Sequence, residues 1–441
     1  MARIVILGGG PAGAAVALGL ARQGESPLVI ASPRRFAAVE GVSGRVVEGL
    51  RSAGFARALQ VLEPDSPRRV LWNGVRSEAN TERLIDRQRF DLALLDDLEQ
   101  QGVEVWRGRV LALGRAGPGF RLTVERDGGA RALAADFVVE ARGRAAPAQG
   151  LPRLRGAETV SILQTWQGPA GEAQSAVQSC ADGWAWMGRL PDGRRFLQLT
   201  LDAANAQLPP RKALGAFCRS RFEALEIAPA FVAGARPVGS PYARASTPIL
   251  SEVVAGEGML RVGDAAMAVD PLSGNGIFQA LSSALQAPAV IATLLHDPAR
   301  AELARQFHQE RVGGLFHRFA RIGRDFYAQE SRWAEEPFWA PRRRWPDAAP
   351  AHGAVTPDQV HIVKRPVVEH DRIVEHEVVV TPEQPLGVWH LDGLALAPLL
   401  RAARGRPEAG GAEAAMTAAL GGQTERAVRI ASWMRAQHWI A

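Results

Sequence analysis

The sequence predicts an α/β fold: a mostly parallel sheet domain, an antiparallel sheet inserted within it, and a small C-terminal α+β domain. Three observations support this prediction. An apolar strand near residue 5 runs through a glycine turn into a helix. A second strand, loop and helix follow near residue 260, and short strands of alternating pattern lie between the two. Strands that lead through tight turns into helices are typical of doubly wound sheets.

The first unit consists of the apolar run 3–7, the turn 8–13 and an Ala- and Leu-rich helix. In this order, the spacing G-x-G-x-x-G predicts a dinucleotide-binding turn. We expect Gly8 to permit the tight turn, Gly10 to let a pyrophosphate approach the backbone, and Gly13 to let the helix pack against the strand. The sequence therefore predicts a Rossmann-like domain.

Pro11 and Ala12 open the helix that follows this turn. Proline is well tolerated there because its missing N–H would have no partner in the first helical turn. The free N–H groups and the helix dipole then favour an anion. The alternative is a glycine-rich turn with no ligand.

The next strand, 28–31, ends where a Rossmann fold usually places an acid for the ribose hydroxyls. Ser32 stands there instead, followed by Arg34 and Arg35. We expect Ser32 to hydrogen-bond the ribose and the arginines to face phosphate. Residues 39–59 read as one helix in which Arg45 is a candidate cofactor contact, with a solvated helix arginine as the alternative.

The second unit begins with the strand 259–262 and continues through Gly263 and Asp264 into the loop 270–276 and a helix over 277–295. A carboxylate at such a turn can accept hydrogen bonds from a sugar-alcohol chain, and small residues let a flat ring lie against backbone N–H groups. An ordinary Asn-Gly turn is the alternative. The candidate ring-side residues are Pro271, Gly274, Asn275, Gly276 and Ile277.

These patterns suggest domain boundaries. A discontinuous nucleotide-binding domain would comprise 1–157 and 250–332, with a substrate-binding sheet domain at 158–249 between its parts. Residues 333–351, rich in tryptophan, proline and arginine, read as a linker. Residues 352–441 read as a C-terminal domain with two strands, then helices and a loop at 405–411. This domain is a candidate partner-docking module, with a lid that stabilises the core as the alternative.

Composition narrows the function classes. The chain has 441 residues and a formal net charge of +6, and its basic side chains are nearly all arginine. The charges are scattered and no nucleic-acid motif is present, so we expect no nucleic-acid partner.

Cys180 and Cys218 form neither a disulfide framework nor a metal spacing, so we expect no metal. We expect no signal peptide and no membrane span, because the apolar run 284–295 is too short, and we expect a cytoplasmic protein.

Two further stretches complete a family pattern. Residues 85–91, which include Arg87, lead into a helix, and residues 183–191 carry Trp184 and Trp186 in a Trp-x-Trp arrangement before a proline. Together with the two glycine loops, over roughly residues 1–330, these stretches resemble the FAD-dependent aromatic hydroxylase superfamily. Within it they resemble the branch shared by flavin halogenases and geranylgeranyl-type reductases.

The resemblance implies FAD as the cofactor, with Arg87 beside it and Asp264 holding its ribityl chain. The loop 271–277 would lie beside the flavin ring, at the end where negative charge develops on reduction. The departures matter as well. Flavin halogenases use a lysine between the first glycine loop and the substrate sheet, but Lys212 and Lys364 are the only lysines here and both lie elsewhere.

A closer resemblance is to the flavoprotein monooxygenases that dihydroxylate a peptide-bound tryptophan in quinohemoprotein amine dehydrogenase maturation, which makes a tryptophylquinone cofactor. It implies an enzyme that is reduced transiently by NADH or NADPH and reacts with O2 through a C4a-hydroperoxide to hydroxylate an electron-rich ring. The aromatic substrate would be free or a protein or peptide tryptophan docked through the C-terminal domain. No catalytic acid or base is evident. Asp270 is a candidate proton relay, and a carboxylate that only caps the helix entry is the favoured alternative. The alternatives are a flavin-dependent prenyl reductase and a non-enzymatic flavin-fold escort protein.

Overall fold

The computed structural model describes residues 3–34, 36–148, 150–405 and 411–441. The chain divides into two compact units. Unit 1 comprises Met1–Pro288 and Leu315–Ala349, and unit 2 comprises Ala289–Gly314 and Pro350–Ala441. The predicted loop 405–411 falls largely on residues 406–410, which lie outside the described part of the chain.

Helices and strands alternate through unit 1, and both recur in unit 2. The helices are α1 Pro11–Arg22, α2 Gly44–Ala53, α3 Ala56–Gln60, α4 Arg87–Gln100, α5 Leu214–Glu223, α6 Pro229–Val232, α7 Gly276–Ala284, α8 Ala287–His296, α9 Ala301–Gln329, α10 Trp339–Arg342, α11 Leu396–Gly405, α12 Gly411–Ala419 and α13 Thr424–Ala436. The strands are β1 Ile4–Leu7, β2 Leu28–Ala31, β3 Val39–Val42, β4 Asp65–Trp72, β5 Val75–Asp86, β6 Glu104–Arg107, β7 Arg109–Ala116, β8 Gly119–Arg126, β9 Gly129–Ala135, β10 Phe137–Glu140, β11 Arg153–Arg155, β12 Thr159–Gln167, β13 Gln174–Cys180, β14 Gly183–Arg189, β15 Arg194–Asp202, β16 Arg236–Ala245, β17 Ile249–Ser251, β18 Ala255–Gly256, β19 Met259–Arg261, β20 Met267–Ala268, β21 His361–Glu369, β22 Arg372–Val380, β23 His390–Leu391 and β24 Leu394–Ala395.

The predicted α/β class is confirmed, and unit 1 contains a six-stranded sheet in the order β18-β19-β10-β1-β2-β6. Strand β1 pairs in parallel with both β10 and β2. The strands β1, β2 and β10 are fully buried, as expected for parallel strands covered on both faces. The small antiparallel sheet β7-β8-β9 packs Phe120, Leu122 and Val124 onto this sheet. The carboxyl ends of β1, β10 and β19 therefore meet at one edge.

The second large sheet has eight strands in the order β16-β12-β15-β14-β13-β4-β5-β3. One face is covered by α5 and α6, whose Phe222 and Phe231 pack on Leu197 and Leu199. The opposite face carries Leu163, Phe196 and Trp186 in a separate cluster. The sheet extends beyond the predicted span 158–249, because β4 pairs in parallel with β13 and brings β5 and β3 with it.

The predicted helix over 39–59 is wrong at its start. Residues Val39–Val42 form β3, which pairs antiparallel with β5, and the helix begins only at Gly44. The carboxylate of Glu82 lies against Gly41, where a β-carbon would overlap it. Tertiary pairing has overridden the helical pattern here.

The predicted helix over 277–295 is interrupted, because it ends at Ala284 and restarts at Ala287. Pro288 has no N–H to donate to the carbonyl four residues earlier, which explains the interruption. Among the described residues, the stretch Gly276–His296 has the length and apolar composition of a membrane span. Its apolar window is 67% buried within the protein, as in the core helix of a globular domain.

Of the segment 333–351, expected to be a linker, residues 333–349 belong to unit 1 and contribute to its core. Phe338 and Trp339 are at most 1% exposed and pack with Trp184 and Tyr327. The indole N–H of Trp339 donates to the carbonyl oxygen of Ala181 at 3.0 Å. This segment is therefore held by buried aromatic side chains over at least part of its length.

Unit 2 contains the antiparallel pair β21-β22 and the helices α11, α12 and α13 around one apolar core. Val379, Leu396, Leu400 and Trp439 are buried in that core. The predicted strands and helices of the C-terminal region are confirmed. Its functional role as a docking module stays a prediction.

Candidate functional site

The first glycine turn has the geometry that its sequence predicts. Gly8 has φ +113°, and its N–H donates to the carbonyl of Ile30 at 2.8 Å. A β-carbon on Gly8 would overlap the carbonyl of Ala141, and one on Gly13 would overlap the carbonyl of Gly8. Chain neighbours apart, no atom of the described residues lies within 4 Å of the corresponding position on Gly10. The turn is thus closed on the protein side and open on the other.

Helix α1 starts without any acid that would compete for its N-terminus. Gly10 is the N-cap residue, Pro11 begins the helix, and neither a side-chain cap nor an acidic residue occurs in the first turn. The first N–H groups and the positive end of the dipole are therefore available to an anion. A β-carbon on Gly263 would lie 2.7 Å from that of Ala12, so the second glycine loop contacts the first.

Asp264 lies at the start of this second loop. Its Oδ2 is 3.6 Å from Nε of Arg144, and 35% of its side chain remains exposed. Burial raises the pKa of this carboxyl, and the Arg144 guanidinium opposes that rise. Arg144 also donates to the carbonyls of Thr247 (2.5 Å) and Val269 (3.0 Å), which fixes its position. The carboxylate of Asp264 can therefore accept hydrogen bonds from the hydroxyl groups of a ligand.

Arg87 is buried, with its guanidinium between two carboxylates. Its Nη1 lies 2.8 Å from Glu40 and its Nη2 lies 3.0 Å from Asp91. Burial alone would raise the pKa of Glu40, but the guanidinium groups of Arg87, Arg244 and Arg34 outweigh it and lower that pKa. Arg87 thus orders this side of the site through ion pairs within the protein.

The loop after β20 is anchored by Asp270, which is 6% exposed. Its Oδ1 accepts the N–H of Leu272 at 2.9 Å and the hydroxyl of Tyr327 at 3.0 Å. Tyr327 in turn accepts the indole N–H of Trp184 at 3.2 Å. Burial raises the pKa of both Asp270 and Tyr327. This chain of hydrogen bonds joins the loop to the eight-stranded sheet.

The rest of the loop turns tightly into α7. Pro271 opens a single 3-10 turn, Gly274 has φ +63°, and Asn275 donates its amide to the carbonyl of Ser273 at 2.5 Å. Helix α7 begins at Gly276 with neither a side-chain cap nor an acidic residue in its first turn. Its N–H groups can therefore contact a ligand. Ile277, the second residue of α7, is 7% exposed and packs inward.

Ser32 and Arg45 are both exposed. Ser32 directly follows β2, two residues after the carbonyl that accepts the N–H of Gly8. The guanidinium of Arg45 lies 6.0 Å from the ring of Phe278 on α7. Arg34 pairs with Asp91 at 2.9 Å rather than standing free, and Arg35 lies outside the described residues.

Sequence reasoning did not assign site roles to Glu40, Arg144 or Tyr327. Glu40 lay within the stretch read as a helix, and Arg144 lies in a glycine turn after a buried strand, to which no site role was assigned. Tyr327 is 57 residues from Asp270. A local signal existed only for Arg144, which follows a glycine at the end of a buried strand.

The described residues contain no group of three or more His, Cys, Asp and Glu side chains that could hold a metal ion. Burial raises the pKa of Cys180 and of Cys218 to about 12, so both stay protonated thiols at neutral pH. The arrangement instead fits a dinucleotide. The open side of Gly10, the uncapped starts of α1 and α7, and Asp264 offer donors for phosphate and acceptors for hydroxyl groups.

The fold and this site define a Rossmann-type flavoprotein of the hydroxylase and halogenase class. No protein-family model matches the chain. A tryptophan 2-halogenase from Chondromyces crocatus is 25% identical over 370 residues, which cover 76% of this chain and 70% of the relative. The solved structure of CmlS, a flavin-dependent halogenase, has a TM-score of 0.76 at 18% identity over 99% of this chain and 95% of CmlS, which is a likeness of fold.

A solved structure of QhpG is more similar. QhpG is described as a peptidyl tryptophan dihydroxylase essential for tryptophylquinone cofactor biogenesis. It is 49% identical to this chain, with a TM-score of 0.86 and complete coverage of both chains. This chain therefore belongs to the family of flavin-dependent monooxygenases that includes QhpG. The predicted resemblance and the prediction of an enzyme are confirmed.

Proposed function

We propose that this protein is a single-component FAD-dependent monooxygenase that uses NADH or NADPH and O2 to hydroxylate a peptide-bound tryptophan during quinone cofactor maturation. The observation that carries this proposal is the 49% identity to a peptidyl tryptophan dihydroxylase over the full length of both chains. The match covers the glycine turns, the eight-stranded sheet and the C-terminal region.

FAD would be held by the two glycine loops. Gly10 and the N-terminus of α1 would receive the pyrophosphate, Ser32 the adenosine ribose, and Asp264 the ribityl hydroxyls. Gly276 and its neighbours in the loop would lie along the flavin ring. When bound, FAD would supply the two-electron and oxygen chemistry that protein side chains lack. The proposed cofactor-binding set is Gly8, Gly10, Pro11, Ala12, Gly13, Ser32, Arg45, Arg87, Asp264, Pro271, Gly274, Asn275, Gly276 and Ile277.

The side chains of this protein would position the substrate ring and exclude water. Trp186 is partly buried on the sheet face that also carries Leu163 and Tyr242. A β-carbon on Gly188 would lie 2.5 Å from the Trp186 ring, so the glycine lets the indole lie across the strand. An aromatic wall of this kind suits a flat, electron-rich substrate.

Halogenation is disfavoured by the absence of the halogenase lysine. The region between the first glycine loop and the sheet contains no lysine, and the chain has only Lys212 and Lys364.

For the C-terminal unit, we propose that its residues 352–441 bind the protein substrate. Hydroxylation of a newly made polypeptide with a nicotinamide reductant favours the cytoplasm as the location.

The test is to incubate the purified, FAD-loaded protein with a tryptophan-containing polypeptide, NADH or NADPH, and O2. We expect nicotinamide oxidation to depend on O2 and the peptide to gain the mass of oxygen atoms at tryptophan. Free tryptophan and a peptide with phenylalanine at that position serve as controls. A gain of hydrogen instead of oxygen would indicate a reductase, and a protein that takes up no flavin would indicate an escort role.

A further inference from the structure

Arg68 lies beside the loop 271–277. It pairs with Ser175 across β4 and β13, two residues before the Val70–Val177 pair. Ser175 and Val177 are two residues apart on β13 and share a face of the sheet, and Val177 packs in one cluster with Leu272 of the loop. Nη1 of Arg68 is 3.9 Å from the position of a β-carbon on Gly274.

The Arg68 guanidinium has no partner among the described residues. Its Nε is buried without a hydrogen bond, and no described carboxylate forms an ion pair with it. The neighbouring acids are engaged elsewhere, because Glu78 pairs with Arg69 at 3.0 Å and Glu82 accepts the hydroxyl of Ser175. A buried donor without an acceptor costs free energy, so the arrangement points to an acceptor supplied by a ligand.

The surroundings of Arg68 favour a negative ligand. The N-terminus of α7, two residues after Gly274, carries the positive end of the helix dipole and has no acid in its first turn. Hydride transfer from a nicotinamide adds two electrons and one proton to FAD and leaves one negative charge on the ring. Both the helix end and the guanidinium would attract that charge.

We propose that Arg68 is the cationic residue that stabilises the negative charge acquired by the bound flavin on reduction. This inference rests on the proposed function, because it requires FAD in the site. It assigns a role to a residue of the sheet rather than of the glycine loops. A guanidinium so placed binds the reduced cofactor more tightly than the oxidised one and raises the reduction potential.

The test measures the midpoint potential of FAD bound to the full-length protein by equilibration with a reference dye. We expect Arg68→Gln to weaken the binding of reduced FAD about tenfold relative to oxidised FAD. For a two-electron couple this ratio lowers the potential by ~30 mV. Arg68→Lys keeps the charge and is expected to keep a potential near that of the wild type.

Arg69→Gln is the matched control, because Arg69 neighbours Arg68 in the chain but pairs with Glu78 and is 42% exposed. Its potential should equal that of the wild type. An unchanged potential in Arg68→Gln, or an equal decrease in both variants, contradicts the inference, as does an effect of Arg68→Gln on the peptide KM alone. Arg68→Met provides a second uncharged side chain if the glutamine variant does not fold. A wild-type protein that binds no FAD would instead overturn the proposed function.

Discussion

Gly10 and Gly13 belong to one turn but meet different surroundings. The β-carbon position of Gly13 is occupied by the carbonyl of Gly8, whereas that of Gly10 faces open space. Gly13 is therefore required by the protein itself, whereas Gly10 leaves room for a ligand. Two glycines of one motif are thus needed for different physical reasons, one for packing within the protein and one for ligand access.

We expect Gly13→Ala to lower the free energy of unfolding by about 3 kcal/mol, because the new methyl group has no room. We expect Gly10→Ala to unfold like the wild type but to bind FAD at least tenfold more weakly. Urea unfolding of the apoprotein and FAD titration measure the two effects. Gly44→Ala, where the methyl group also faces open space, is the control and should change neither quantity. Equal stability of the Gly13 and Gly10 variants would refute this assignment.

At the scale of elements, Asp270 and Tyr327 connect the loop before α7 to the helix α9. The carboxylate accepts two hydrogen bonds while it is 6% exposed, and Tyr327 is 2% exposed. Tyr327→Phe preserves the ring packing but leaves the indole N–H of Trp184 without an acceptor. We expect a loss of about 1–3 kcal/mol in unfolding free energy. Tyr242→Phe, at the other tyrosine of the chain, is the control. It removes one hydroxyl group that donates a hydrogen bond to the carbonyl of Ala37.

Asp270 also gives stability a pH dependence of known sign. Because its pKa is raised in the folded state, the native protein binds more protons than the unfolded chain above pH ~4. This group therefore contributes stability that is full below the unfolded pKa and is lost as pH rises through the folded pKa.

We expect Asp270→Asn, which keeps the acceptor oxygen, to gain stability relative to the wild type as pH rises from 4 toward neutrality. Unfolding free energies of both proteins at pH 4 and pH 7 measure this gain. A difference between the two proteins that is constant with pH would show that the carboxyl has the same pKa in both states. Asp127→Asn, at a carboxyl whose side chain is 67% exposed, controls for general effects of charge removal.

At the scale of the whole molecule, Arg342 fastens the segment 333–349 to the eight-stranded sheet. It pairs with Asp202 at 2.9 Å and donates to the carbonyl of Glu158 and the hydroxyl of Thr159. Both charged side chains are nearly buried, at 4% and 10% exposure. One guanidinium thus contacts three residues that lie 140 or more positions earlier in the chain.

We expect Arg342→Met to cost about 3–5 kcal/mol, because it leaves the carboxylate of Asp202 buried without its cation. The exposed pair of Arg155 and Glu158 is the control, and Arg155→Met should cost less than about 1 kcal/mol. Urea unfolding monitored by circular dichroism measures both. If the double variant Arg342→Met with Asp202→Asn recovers none of the lost stability, the ion pair is not the cause.

The sequence alone determined the two strand–turn–helix units and the fold class. These features follow from residues within about ten positions of one another, where glycine, proline and apolar spacing constrain the backbone directly. For the same reason the positions of Gly8, Gly13 and Asp264 were predictable before their surroundings were known.

Only the tertiary structure decided which side chains surround Asp264 and the loop 271–277. Strand β1 lies between β10 and β2, and β10 lies beside β19, so turns that are more than 100 residues apart meet at one edge. That pairing brings Arg144 to Asp264, and sheet register places Arg68 beside Gly274. The strand Val39–Val42 likewise exists because β5 offers it a partner. Long-range pairing has no local signature, since its free energy is released only when distant strands meet.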